Sequence, residues 1–151
     1  MKRLTLIFLT ALAAFASEVH AEDAAPRFVA VDVVLISDAP VAAWQFEFGG
    51  SSDAVRIVGV EQGESKAFGD APYYDREAIR LGTADRIVVA DYSTADSSYL
   101  PRGAVRIATL HLMITGHSNE AIDITLVTAV DADGERIEAS ISATPQTGSE
   151  S

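Results

Sequence analysis

The side chains in this sequence that could do chemistry are histidines, scattered carboxylates, Ser65 and four tyrosines outside the main apolar runs. Gly63-Glu64-Ser65-Lys66-Ala67 approaches the Gly-x-Ser-x-Gly turn of a nucleophilic serine. It lacks the final glycine and the strand-to-helix setting that exposes the hydroxyl. His111 and His117 stand without nearby carboxylates or any cysteine, a poor ligand set for a metal. Asp131-Ala132-Asp133-Gly134-Glu135 hints at calcium. An EF-hand loop opened by Asp131, however, needs glycine where Arg136 stands and glutamate where Ser142 stands. A hairpin turn is the better reading, with a weak surface calcium site as the alternative. Paired carboxylates for glycoside hydrolysis must oppose each other across a cleft, and nothing in the chain order pairs them. No catalytic residue, metal or other cofactor is therefore expected. Tyr73, Tyr74, Tyr92 and Tyr99 could stack on sugar rings, as in a carbohydrate-binding module, or cover core edges with their hydroxyls in water.

Any such site must be positioned by strands. Residues 28 to 60 hold three apolar runs separated by Ser-Asp-Ala-Pro and Gly-Gly-Ser-Ser-Asp. Val41 to Phe48 alternates most clearly. Trp44, Phe46 and Phe48 share one parity, and Ala43, Gln45 and Glu47 share the other. Successive strand side chains point to opposite faces, so the aromatic set faces a core and the other three face outward. Val55, Ile57 and Val60 read as the inward set of the next run, with Arg56 outward.

The address of the protein is written at its start. Met-Lys-Arg is followed by Leu4 to Ala16 without a charge, then by a small-residue stretch ending Val19-His20-Ala21. This is the three-part pattern of a secretory signal peptide, and its apolar run is too short for an ordinary membrane span. Cleavage is expected after Ala21, with Ala16 as the alternative, giving an exported, periplasmic or extracellular protein. Losing Lys2, Arg3 and Glu18 takes the net charge from −11 to −12. Such a charge repels nucleic acid and anionic membrane surfaces. The chain has no cysteine, so no disulfide, thiol nucleophile or lipid-modified cysteine is available. No second apolar segment of spanning length follows, so no membrane span is expected in the mature chain.

Glu22 to Arg27 reads as a disordered lead, residues 28 to 142 as one domain, and 143 to 151 as a flexible tail. Within the domain, Ala78 to Gly82 reads as a short strand, Arg86 to Tyr92 as a firmer one, and Ala104 to Ile114 as the last long one. Ala121 to Val130 and Arg136 to Ser142 flank the Asp-Gly pair and read as a hairpin. Eight to nine short strands with regular turn signals and no convincing helix predict an all-β, antiparallel β-sandwich.

The order of these elements resembles cohesin domains. The resemblance rests on strand Phe28–Ile36, the Ala-Pro turn, the alternating strand, and then Asp53-Ala-Val-Arg-Ile-Val-Gly-Val-Glu-Gln-Gly63. It continues through Arg86-Ile-Val-Val-Ala-Asp-Tyr-Ser93 and Arg106-Ile-Ala-Thr-Leu-His-Leu112. It implies a jelly-roll-like sandwich without catalysis, related to carbohydrate-binding modules, that binds a partner through one sheet face. Dockerin-binding cohesins place an Asn and an Asp on the outward positions of the second strand, which here match Ala43 and Gln45. The resemblance thus implies a partner face carrying Ala43, Gln45 and Glu47 and excludes a classical dockerin. The expected partner is an unidentified protein or a polysaccharide.

Overall fold

The computed structural model describes residues 25–50, 54–116 and 122–146. The β-branched run at the start forms β1 (Arg27–Ser37), which crosses at Asp38-Ala39-Pro40 into β2 (Ala43–Gly50) on the opposite layer. Ser37 secures the crossing. Its buried hydroxyl has the carbonyls of Ala39 and Glu138 within reach of its single proton, at 3.1 and 3.2 Å, and accepts the Ala39 amide. Then follow β3 (Val55–Gln62), β4 (Tyr73–Tyr74), α1 (Arg76–Leu81), β5 (Arg86–Tyr92), β6 (Gly103–Ile114), β7 (Ile122–Val130) and β8 (Ser140–Pro145). They build two four-stranded antiparallel sheets, ordered β3-β6-β1-β8 and β4-β5-β2-β7.

The core lies between the sheets and follows strand parity. Trp44, Phe46 and Phe48 from one layer meet Val31, Val33, Leu35, Leu110 and Leu112 from the other, all fully buried. In β3, Val55, Ile57 and Val60 are buried although Val60 breaks strict alternation. The cause is a one-residue irregularity at Val58, which lets two residues of β3 oppose one of β6 and returns Val60 to the inner face.

Four sequence expectations need correction. Ala78 to Gly82 is not a strand, because Asp75 accepts the Ala78 amide at 2.9 Å and so caps a helix. Glu77 pairs with Arg80 across its single turn and a half, and Gly82 (φ 68°) ends it in the left-handed conformation. The second concerns the Asp131–Gly134 turn, which closes only one bridge, Val130 to Arg136. Beyond Ile137 the chain leaves β7, and β8 pairs instead with β1. The third is the tail: strand pairing reaches Pro145, and the Gln146 side-chain amide donates to Asp32 Oδ1 at 2.9 Å. Asp32 also accepts Thr109 at 2.7 Å. These hydrogen bonds, Thr109 foremost, and the Arg106 charge hold its carboxyl below the ordinary range. At the other end, β1 begins at Arg27, inside the expected lead. The signal-peptide segment 1–21 and His117 lie outside the described residues.

Candidate functional site

The outer face of sheet β4-β5-β2-β7 collects most of the residues singled out by pattern. β2 is flanked by β5 and β7, so its outward side chains stand in the middle of that face. Gln45 lies between Ala90 and Thr128, Ala43 between Tyr92 and Val130, and Glu47 between Val88 and Thr125. All three are half-buried. Glu47 is ion-paired to Arg86, so it presents a neutralised rather than a free carboxylate.

The tyrosines divide. Tyr73 and Tyr74 share a two-residue strand and must point to opposite faces. Tyr74 packs inward against the core with the Arg76 guanidinium over its ring at 5.3 Å. Tyr73 points outward opposite Ala90 and stacks on Tyr92, ring centroids 5.9 Å apart and planes 12° apart. Both are well exposed, at 63% and 58%. The neighbouring Tyr92 hydroxyl, with Asp91 and Asp70 contributing, pushes the Tyr73 phenol above its ordinary value. Tyr99 stands exposed in the β5–β6 loop and does not line the hollows that Tyr73 and Tyr92 border. The structure therefore joins Ala43, Gln45, Tyr73 and Tyr92 at one place, and Tyr74 and Tyr99 do not share it.

The resulting hollow has a floor of Ala43 and Ala90, a wall of Tyr73 and Tyr92, and a rim of Gln45 and Thr128. Small residues beside the stacked aromatic rings leave a recess for a protruding group, and the exposed Val88 extends the apolar surface along β5. A second, more polar cleft shares Tyr73, Asp91 and Tyr92 with this hollow and adds Asp70, Ser93 and Thr94. Asp91 shares the inward parity of Ile87 and Val89 and sits opposite Trp44. Burial there pushes its carboxyl above the ordinary range, Asp70 adds to the effect, and a hydrogen bond from the Tyr92 amide opposes it. Sequence reasoning missed Ala90, Thr128, Asp70 and Asp91. The alternation Arg86-Val88-Ala90-Tyr92 was a usable signal for the outward side of β5, but nothing local placed β5 beside β2.

The other chemistries look different in place. Ser65 closes a turn, with its hydroxyl accepting the Ala67 amide at 3.3 Å. His111 points outward from β6 with Nε2 2.9 Å from Glu61 Oε1. Asp131 Oδ1 accepts the amides of Asp133 and Glu135, so the carboxylate closes its own turn. Among the described residues no group of three or more His, Asp or Glu is placed to hold a metal ion.

No protein-family model matches the sequence, and no curated protein matches it. Among solved structures, the chain is similar to a non-cellulosomal cohesin from the hyperthermophilic archaeon Archaeoglobus fulgidus. The match has a TM-score of 0.54 and 14% identity over 74% of this chain and 72% of that one. The protein has a cohesin-like fold. No described helix is long and apolar enough to cross a membrane.

Proposed function

We propose that the protein is an exported, non-catalytic interaction module that docks a protein partner on the outer face of sheet β4-β5-β2-β7. The observation that carries this reading is the Tyr73–Tyr92 pair standing over Ala43 and Ala90 on a sheet held by paired strands on either side of β2. Binding energy at interfaces concentrates in buried aromatic anchors, and tyrosine offers a large contact area with few rotatable bonds. The cohesin-like fold supports a protein partner. Ala43 and Gln45 offer no carboxylate where a classical dockerin expects one, so that partner is excluded.

A photo-crosslinking residue at position 45 is expected to capture a partner from the exported fraction, and one at position 142, on the other sheet, is not. Tyr92→Ala should then weaken the captured complex by about 2 kcal/mol, roughly thirtyfold. Equal capture at both positions, or a complex indifferent to Tyr92→Ala and Tyr73→Ala, defeats the reading. Asp70, Asp91, Ser93 and Thr94 beside exposed aromatic rings favour a second reading, a polysaccharide ligand. Saturable glycan-array binding that disappears in Tyr73→Ala would establish it instead.

Export rests on Lys2-Arg3, the uncharged run to Ala16 and Val19-His20-Ala21. The intact mass of material outside the cytoplasm should correspond to a chain starting at Glu22. A full-length mass confined to the cytoplasm would sink this part.

A further inference from the structure

We infer that two copies of this chain join edge to edge through β7, each β7 adding a strand to the other copy's sheet. This surface is separate from the docking face and does not rest on that reading. The four sheet edges are not alike. β4 is two residues long, and β8 is six residues long and ends on Pro145. β3 is covered, because the Ile57 amide donates to the Ala84 carbonyl at 3.0 Å and Arg56 donates to the Gly82 carbonyl. β7 has nine residues, Ile-Asp-Ile-Thr-Leu-Val-Thr-Ala-Val, without proline or lysine. Among the described residues no strand pairs with its outer side from Ile122 to Leu126, and the chain at Arg136 and Ile137 meets only Ala129 and Val130. Unpaired backbone along a strand of this composition is a template for another strand. The side chains agree: Ile122, Ile124 and Leu126 face inward but are only half-buried, whereas Phe46 and Phe48 beside them in β2 are fully buried.

The charges along this edge specify a second copy as the occupant. β7 carries one charge, Asp123, which is exposed and has no ion pair among the described residues. The cation beside the edge is Arg136, also exposed, whose guanidinium donates to the Val127 carbonyl at 3.4 Å. Both stand on the outer face. Val130 alternates with buried Ala129 and so faces outward, and Arg136, its bridge partner, faces the same way. Pairing about a two-fold axis makes every contact twice. In the register that sets Thr125 against Thr125 of the other copy, Asp123 falls opposite Val127, where Arg136 of that copy stands. Two Asp123–Arg136 ion pairs then form on the outer face, and Ile124 lies beside Leu126 on the inner one. The extra residue of β7 at Val127, where its register with β2 shifts, ends the straight edge and confines the pairing to this segment. The net charge of −11 holds two copies apart over most of their surface, so contact falls where opposite charges reciprocate.

Sedimentation of the whole protein over about 1 µM to 1 mM should show a reversible monomer–dimer equilibrium. Asp123→Arg and Arg136→Asp should each weaken the dimer at least about tenfold, because each turns two attractions into two repulsions. The double variant restores opposite charges and should return to within about threefold of the parent. Thermal melting of each variant shows that the fold is kept. The chain has no cysteine, so Thr125→Cys would set two thiols face to face at the axis and should oxidise to a cross-linked dimer. Ser142→Cys, exposed on β8, should not. A monomer throughout, single reversals without effect, no rescue in the double variant, or equal cross-linking through both cysteines would each overturn the proposal. A dimer lost in Tyr92→Ala but kept in Asp123→Arg would overturn it in favour of self-association through the tyrosine face.

Discussion

Replacing Trp44 by alanine is expected to remove about 3–5 kcal/mol of stability. The indole is 1% exposed, stacks on Phe46 at 5.6 Å and meets Phe68 edge-on at 6.1 Å. Phe68 lies in the β3–β4 loop, so the same ring joins the sheet to the segment that leads into Tyr73. Alanine would leave a void that paired strands on both sides of β2 cannot close. Trp44→Phe should cost much less, under about 1.5 kcal/mol, since a large ring is kept. The Trp44 indole N–H has no hydrogen-bond partner, so the phenylalanine variant also removes an unpaired donor rather than a bond. Urea unfolding of the three proteins measures both differences. A loss below about 1 kcal/mol in Trp44→Ala would mean that the ring is not the anchor its burial indicates.

Gly63→Ala is the second large effect expected, and its cause is backbone rather than side chain. An added Cβ would lie 2.4 Å from the Arg106 carbonyl oxygen and 2.7 Å from the carbonyl of Ile107. Those atoms belong to β6, which is paired with β3 on one side and β1 on the other and cannot retreat without breaking both ladders. The approach is needed because the loop is stapled there. The Glu64 amide donates to the Arg106 carbonyl at 2.9 Å, and Glu64 Oε1 accepts the Arg106 amide at 3.0 Å. Forcing a methyl group into this contact should cost about 1–3 kcal/mol. A domain of this size should then melt about 3 °C lower for each kcal/mol. Gly69→Ala is the control, because a Cβ there meets nothing within 4 Å, and it should stay within about 0.5 kcal/mol of the parent. Equal melting of the two variants would show that the β3–β4 loop is not held as closely as Gly63 requires.

What the sequence by itself determined is the inner and outer face of the strands whose alternation is clear, β2 above all. Alternation depends on residues two apart, so Trp44, Phe46 and Phe48 could be sent inward and Ala43, Gln45 and Glu47 outward without knowing a neighbour. The same rule required Tyr73 and Tyr74 to part. It is also why the cohesin-like order of strands was legible at 14% identity to a known structure of that kind. The helix was written in the sequence as well, in Asp75 and Gly82, but six residues are too few to display a helical period against a β-rich background. Lateral order was decided only by the tertiary structure. Whether β8 pairs with β7 or β1 is settled by where its half-buried Ile141 and Ala143 pack, and the Asp-Gly turn cannot fix that. The site was decided in the same way. Tyr92 comes to stand beside Ala43, and Asp91 opposite Trp44, only because β5 pairs with β2. These contacts join residues some fifty positions apart, and no local pattern encodes them.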